Sequence, residues 1–403
     1  MKKQIKIKIA FVLIVLLAVV LVIVGIALEN GKSINPIESV AETKVSAANE
    51  EIDPEVEAIM QLDASGDKVP VPEGYVGSKA TGENEIDTGY VIYEGTEEVN
   101  DSNVEEAKTT RNQYVWIPVP DASKMYGTDS NGKKWGKLYD FATSSTDENY
   151  DELTGTYPLN WSETNGIMSN STLYREPYLV SYYDIDSILK TYGLGAEATH
   201  EFLMQLEKEF NNMIKSVEKY GGFYIGRYET GNLSQNTAVV QKEKIDINNQ
   251  TWYTMYKKCK TLKGSNNKVE TGMIWGSQWD RTLMWLVESG NKTKEEIVKD
   301  SSGWGNYSNN SESGAGSKQA TGFSEIWKVA NIYDLAGNVN EWTIEGYANN
   351  RISRGGYYNV TGNYQACRRV STNIPAYSFG YIRLSCSTLH QVVLRAGKGT
   401  VWE

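Results

Sequence analysis

The sequence contains only two histidines, His200 and His390, and only three cysteines in 403 residues. Histidine-based metal centres and Ser-His-Asp triads both need an imidazole beside other reactive groups, so the chain offers little for either. It also lacks a glycine-rich loop followed by Lys-Ser or Lys-Thr, the pattern that cradles phosphates. These absences argue against the common hydrolases and nucleotide-dependent enzymes.

A concentration of positive charge is also missing, because the formal net charge is −11. Residues 29–110 carry 20 acidic and 5 basic side chains, and the remainder of the chain beyond residue 110 is close to neutral. Nucleic-acid-binding domains show the opposite pattern, a basic patch or stripe. We therefore expect no nucleic-acid partner.

Residues 29–110 are also poor in large apolar side chains, which is typical of a segment that cannot form a core of its own. We predict an acidic stalk or linker there, extended by its own charge. Its short apolar runs, 69–72 and 90–93, could add a strand or two to the domain that follows.

One long apolar run, from Ile9 to Leu28, contains no charged residue. A helix of about 20 residues spans a hydrocarbon core of about 30 Å. Lysines precede the run and Glu29 follows it, so the positive-inside rule places the N-terminus in the cytoplasm. We predict that residues 1–28 are a single-pass anchor in a bacterial cell membrane with the C-terminal part outside. A cleaved signal peptide, whose apolar core is usually shorter, and a processed pilin-like N-terminus are the alternatives.

Periodicity predicts a mixed α+β domain in the rest of the chain. Apolar residues recur every three or four positions over 199–220, which predicts an amphipathic helix that ends at Gly221. The runs 113–120, 222–229 and 250–256 are rich in aromatic and branched residues and predict strands.

Two further segments carry local signals. Ser277, with Asp280 three residues later, predicts a helix start at which Ser277 is the N-cap. Residues 301–322 are rich in Gly, Ser and Asn and predict a long loop that is either mobile or functional.

The stretch from Asn331 to Trp342, N-I-Y-D-L-A-G-N-V-N-E-W, is the most distinctive in the chain. Its Gly337-Asn338 pair tolerates positive φ, and carboxylates, Asp334 and Glu341, stand near its two ends. Such a turn can direct oxygens at Ca²⁺, which takes ~6–8 oxygen ligands. The alternative is an Asn-Gly turn between strands, in which the carboxylates cap backbone N–H groups.

This stretch resembles the D-x-x-G-N-x-x-E-W signature of the formylglycine-generating-enzyme (sulfatase-modifying factor) family, a variant of the C-type lectin fold. Further motifs match in order: Y-V-W-I-P-V at 114–119, G-G-F-Y-I-G-R-Y-E-T at 221–230, S-Q-W-D-R-T-L-M-W-L at 277–286, S-R-G-G-Y-Y-N at 353–359 and G-Y-I-R-L at 380–384. The resemblance implies a C-type lectin-like domain over residues 111–395, followed by a tail at 396–403.

The resemblance also implies a structural calcium ion held by the side chains of Asp334 and Glu341 and the carbonyls of Gly337 and Val339. The family's copper-dependent oxidase uses a close cysteine pair after R-G-G, where this chain has only Cys367. We therefore expect neither copper nor the oxidase activity.

The cysteines themselves leave alternatives open. The family fold brings the segments of Cys367 and Cys386 together, which leaves a disulfide or two separate thiols as alternatives. Cys259 is then a free or buried thiol.

Residues 354–384 are the predicted binding face. Tyr, Ser and Asn are typical of recognition loops, because Tyr gives a large rigid contact while Ser and Asn adapt their hydrogen bonds. The candidate ligand-binding residues are Tyr357, Tyr358, Asn359, Tyr364, Ser371, Asn373, Tyr377, Ser378 and Phe379.

This segment is similar to the variable region of diversity-generating retroelement target proteins, although residues 385–403 follow it. An ordinary pair of tyrosine-rich strands is the alternative. We expect a non-catalytic cell-surface module that binds an extracellular protein or glycan. A formylglycine-type oxidase and a structural surface or pilus subunit remain the alternative functions.

Overall fold

Two antiparallel-rich sheets and the helices around them organise the computed structural model. The structure describes residues 58–130, 132–141, 151–153, 161–162, 167–168, 174–176, 196–234, 237–246, 250–263, 266, 268–347, 350–373, 386–387 and 390–394. The chain divides into the units Met1–Asp53 and Pro54–Glu403, and every described residue belongs to the second. The mixed helix and sheet content confirms the predicted α+β class.

The helices and strands are numbered in chain order. The α-helices are α1 Val104–Thr110, α2 Ala196–Tyr220, α3 Trp252–Cys259, α4 Gly276–Glu288 and α5 Lys294–Val298. The strands are β1 Ile59–Leu62, β2 Lys68–Val71, β3 Tyr75–Gly77, β4 Val91–Glu94, β5 Gln113–Pro118, β6 Tyr126–Thr128, β7 Lys134–Gly136, β8 Tyr139–Asp140, β9 Asp151–Glu152, β10 Trp161–Ser162, β11 Ile167–Met168, β12 Tyr174–Arg175, β13 Gly222–Gly226, β14 Gly231–Ser234, β15 Thr237–Val239, β16 Ile245–Asp246, β17 Val269–Met273, β18 Lys328–Val329, β19 Ile332–Tyr333, β20 Asn340–Tyr347, β21 Asn350–Arg354, β22 Val370–Asn373, β23 Cys386–Ser387 and β24 His390–Leu394.

The larger sheet has the order β17-β24-β13-β5-β4-β3, and all of its neighbouring strands are antiparallel. Its central strands β5 and β13 are buried, which explains why their sequences are nearly continuous apolar runs. Trp116 and Tyr224 lie opposite each other in the register, with ring centroids 4.9 Å apart. Helix α2 packs on β13 and β24 with the apolar face that its spacing predicted.

The second sheet has the order β12-β20-β21-β22, with β23 parallel to β20. Its register places Glu341 opposite Arg354. Residue 341 lies in the G-N-V-N-E-W stretch and residue 354 in the R-G-G motif, so this pairing brings two segments of the family resemblance side by side.

The acidic segment before residue 111 does not behave as a stalk from residue 58 onwards. Strands β3 and β4 extend the larger sheet beyond β5, and Val91, Ile92 and Tyr93 are fully buried. The Glu83 carboxylate lies 2.8 Å from the buried Arg227 guanidinium. The folded domain therefore begins before residue 111. The runs 69–72 and 90–93, predicted to add strands, overlap β2 and β4, and Glu83 forms its ion pair inside the fold.

Two local predictions were also wrong. Residues 252–259 form helix α3 and not a strand, because Thr251 caps the helix and Trp252, Met255 and Cys259 recur at helical spacing on its buried side. Aromatic content suggested a strand although the spacing was helical. Helix α4 begins after Trp275, so Ser277 lies inside the helix and is not its N-cap.

Among the described residues, no helix combines the length and apolar character that a membrane crossing requires. The predicted anchor at 1–28 and the first part of the predicted stalk lie outside those residues.

Candidate ligand-binding site

The segment from Gly355 to Arg369, called here the tyrosine loop, connects β21 to β22 through a series of turns. Tyr357, Tyr358 and Tyr364 are half-buried in it, and Asn359 is exposed. The rings of Tyr357 and Tyr358 meet edge to face with centroids 6.2 Å apart. Burial raises the pKa of Tyr357, and the neighbouring hydroxyls of Tyr364 and Tyr358 add to the shift. The structure thus brings three of the predicted binding tyrosines together.

The two ends of the tyrosine loop are held by the same pair of buried carboxylates. Arg354, directly before the loop, and Arg369, its last residue, each form ion pairs with both Asp280 and Glu345. Three of the four side chains have no exposed surface, and that of Arg369 is 7% exposed. Arg369 also donates to the carbonyl of Tyr139 at 2.8 Å.

The two arginines balance the charges of the two buried carboxylates. Burial alone would lower the pKa of Arg369, but Asp280 and Glu345 outweigh that effect and raise it above its ordinary value. Removing one partner of a buried pair leaves an uncompensated charge and typically costs about 3–5 kcal/mol. The base of the tyrosine loop is therefore rigid, because its ends cannot separate without exposing or isolating these charges.

A third carboxylate lies next to this cluster. Glu176 accepts from the backbone nitrogens of Gly276 and Ser277, at 2.6 and 2.9 Å, at the start of α4. Burial raises the pKa of Glu176 from 4.5 to about 8, and repulsion from Glu345 adds to the shift, while the hydrogen bonds from Ser277 and Gly276 oppose it. Glu176 is therefore largely protonated at neutral pH.

The loop interior is held mainly through its own main-chain atoms. Side chains and backbone amides of the surrounding elements donate to its carbonyl oxygens. These bonds run from Tyr307 Oη to Gly355 O and Tyr364 O at 2.7 and 2.9 Å, from Trp279 Nε1 to Ala366 O at 3.0 Å, from Ser301 N to Gly362 O at 3.0 Å and from Ser308 N to Val360 O at 2.9 Å.

The long polar segment 301–322 supplies much of that support. The Asn306 side chain donates to Ser317 O at 2.9 Å and to Asn338 Oδ1 at 3.0 Å, and its own oxygen accepts from Gly316 N at 3.1 Å. Segment 301–322 is therefore bonded both to the 334–341 turn and to the tyrosine loop, and a function of its own stays a prediction.

Of the remaining predicted binding residues, two lie in β22 and three lie outside the described residues. Ser371 is half-buried in β22, and its carbonyl accepts from Asn350 Nδ2 at 2.7 Å. The backbone of Asn373, in the same strand, lies opposite Arg351 of β21. Tyr377, Ser378 and Phe379 lie outside the described residues.

In the turn predicted to bind calcium, Asp334, Asn338 and the N–H group of Val339 form hydrogen bonds within the protein. Asp334 Oδ2 accepts from Gly322 N at 2.9 Å, so this carboxylate caps a neighbouring loop. Glu229, which ends the β13 segment, accepts from Asn338 Nδ2 at 2.6 Å and from Val339 N at 3.1 Å. Asp334 and Asn338 have φ of 57° and 56°, which these contacts stabilise.

The opposite end of the turn faces the tyrosine loop. A Cβ atom added to Gly355 would lie 2.1 Å from Glu341 Oε2, and Gly337 N donates to Gly355 O at 2.8 Å. The part of the chain that the structure describes holds no cluster of three or more His, Cys, Asp or Glu side chains suited to a metal. One of the two carboxylates, Asp334, caps a backbone N–H group, and calcium at Asp334, Gly337, Val339 and Glu341 stays a prediction.

The cysteines offer no reactive pair among the described side chains. Cys367 Sγ donates to Ile297 O at 3.2 Å, and burial raises the pKa of this thiol to about 11. Cys259, the last residue of α3, is buried. The backbone of Cys386 pairs with Asn340, but its side chain lies outside the described residues, so a bridge to Cys367 stays a prediction.

Several residues of the site were not identified from the sequence. Asp280 was interpreted as a helix-capping residue, and Tyr307 and Glu345 were not singled out at all. Nothing local marks Glu345, because its two arginine partners lie elsewhere in the chain. Comparison with models of known protein families gives no match, and comparison with curated proteins gives none either.

Proposed function

We propose that this chain is a non-catalytic ligand-binding module of the bacterial cell surface, with a C-type lectin-like domain of the formylglycine-generating-enzyme type. The observation that carries the proposal is the tyrosine loop, where three half-buried tyrosines lie on a backbone held at both ends by buried ion pairs. Rigid aromatic contacts on a preorganised backbone lose little conformational entropy on binding. The ligand is an extracellular protein or glycan.

The order of motifs supports the lectin-like assignment. Three motif segments converge at one place: Asp280 lies in the S-Q-W-D-R segment, Glu341 in the E-W segment and Arg354 in the R-G-G segment. The proposal also includes an N-terminal membrane anchor, a stalk shortened to the residues before 58, and a calcium ion in the 334–341 turn.

Cysteine chemistry is not part of the proposal. The Cys367 thiol is protonated at neutral pH, since its pKa is raised to about 11, whereas nucleophilic or metal-bound sulfur must be a thiolate.

Binding of the full-length chain to glycan and protein arrays, followed by substitution, tests the proposal. The double variant Tyr357→Ala/Tyr358→Ala should lose at least about tenfold in affinity for any ligand found, because buried aromatic anchors carry much of the binding energy. Its melting temperature should change little, because both side chains are only half-buried. Tyr220→Ala, a half-buried tyrosine at the end of α2, is the matched control. Equal loss of affinity in the control, or unchanged affinity in the double variant, would refute the proposal.

A further inference from the structure

A cleft of about 350 Å³ lies between α2, the residues Lys260 and Lys263 that follow α3, and strand β17. None of its lining residues belongs to the tyrosine loop, and all of them are polar. Its charged side chains are the lysines 208, 260 and 263 and the glutamates 209 and 270, which leaves one excess positive charge.

One of the two glutamates is already neutralised by its neighbours. Glu209 Oε1 lies 2.5 Å from Lys260 Nζ and 2.8 Å from both Tyr256 Oη and Gln205 Nε2. Tyr256 also lies 3.0 Å from the second carboxylate oxygen. Glu209 and Lys260 therefore form a closed pair that keeps the wall of the cleft in place.

Lys208 is in a different situation. It is exposed, lines the cleft, and forms no hydrogen bond or ion pair with any other described residue. Asn212, one helical turn further along the same face of α2, also lines the cleft and makes no side-chain hydrogen bond among the residues described. Thr271 Oγ accepts from Lys263 N at 3.2 Å, so its hydroxyl hydrogen can still donate.

These groups define the chemistry of the ligand. The free ammonium favours one anionic group, and the neighbouring amide and hydroxyl provide partners for hydroxyls. Glu270 disfavours a dianion such as a phosphate ester, because like charges repel. The volume lies at the small end of the ~300–1,000 Å³ range of small-molecule sites.

We infer that this cleft is a second binding site, separate from the tyrosine loop, for a small hydroxylated monoanion of the size of one sugar acid. Lys208 binds the carboxylate, and Asn212 and Thr271 bind hydroxyls. The site does not depend on the proposed function of the tyrosine loop.

Saturation-transfer NMR with the full-length chain tests the inference, in a buffer free of carbohydrate detergents. Glucuronate should bind saturably, and glucose should bind at least about tenfold more weakly, because a charge-assisted hydrogen bond is lost. Lys208→Gln should weaken glucuronate binding by about five- to tenfold. Lys215→Gln, an exposed lysine of the same helix outside the cleft, should not change it.

The competing outcomes are distinct. Equal binding of glucose, absence of saturable glucuronate binding, or equal effects of the two lysine variants would overturn the site. Inorganic phosphate that displaces glucuronate with higher affinity would overturn the preference for a monoanion. The Tyr357→Ala/Tyr358→Ala variant should keep full glucuronate binding, which separates this site from the tyrosine loop.

Discussion

Replacing Glu83 with alanine is expected to destabilise the folded unit by about 3–5 kcal/mol, the usual cost of isolating one charge of a buried pair. Arg227 is 1% exposed, and its Nη1 lies 2.8 Å from Glu83 Oε1. The other carboxylate oxygen accepts from Ser78 Oγ and Tyr93 Oη, both at 2.9 Å. Alanine would remove all of these bonds and leave the guanidinium with three neutral acceptors, the side-chain oxygens of Tyr93, Gln113 and Asn331.

Thermal unfolding followed by circular dichroism measures this effect. With about 2 °C lost per kcal/mol in a domain of this size, the melting temperature should fall by roughly 6–10 °C. Glu98→Ala is the matched control, because Glu98 lies in the same acidic segment and pairs with Lys79 at the surface, where both side chains are more than half exposed. The control should melt like the parent chain.

The result also decides whether residues 58–110 belong to the domain. A detached stalk would contain no buried charge, so equal melting temperatures for Glu83→Ala and Glu98→Ala would refute the reasoning. Deletion of residues 1–57 should likewise leave a cooperatively folded domain, whereas deletion of 1–110 removes β3 and β4 and should abolish the transition.

Three further predictions concern the site and its surroundings. Because burial raises the pKa of Glu176 to about 8, the native state retains a proton that the unfolded state releases above about pH 4.5, so stability should fall as pH rises from 4.5 to 8. Glu176→Gln should remove this loss of roughly 3–5 kcal/mol in unfolding free energy between pH 4.5 and 8, as measured by urea denaturation at several pH values. The same pH dependence in the parent chain and the variant would contradict this. Tyr307→Phe should cost about 1 kcal/mol, because it removes the one hydroxyl hydrogen that Gly355 O and Tyr364 O share, while Gly355 O keeps its bond from Gly337 N, and an unchanged urea midpoint would contradict it. If calcium binds the 334–341 turn, a chelator should lower the melting temperature of the parent chain but not of Asp334→Asn, and identical curves with and without Ca²⁺ would exclude the ion.

The elements that the sequence predicted well are those whose signal is local. The spacing of apolar residues over 199–220 is a property of adjacent turns, and helix α2 has that face buried. Helix α3 carried the same kind of signal, but its aromatic residues were weighted as strand formers. Both cases show that spacing is more informative than residue type.

The partners of charged residues could not be predicted in the same way. Glu83 and Arg227 are far apart in the sequence, as are Asp280 and Arg354, and each pair meets only because sheet and helix packing bring them together. Composition therefore classified Glu83 as solvated, and local spacing classified Asp280 as a helix cap. The tyrosines of the loop were found because a run of recognition-type residues is visible without tertiary information.

The way in which the tyrosine loop is anchored has a consequence for protein engineering. Carbonyl oxygens at five positions of the loop accept the bonds from Tyr307, Trp279, Ser301 and Ser308, and every amino acid supplies a carbonyl. A combinatorial library that randomises Tyr357, Tyr358, Asn359 and Tyr364 should therefore yield mostly folded proteins. One backbone could then present many different chemical surfaces, which is the property sought in a scaffold for artificial binding proteins.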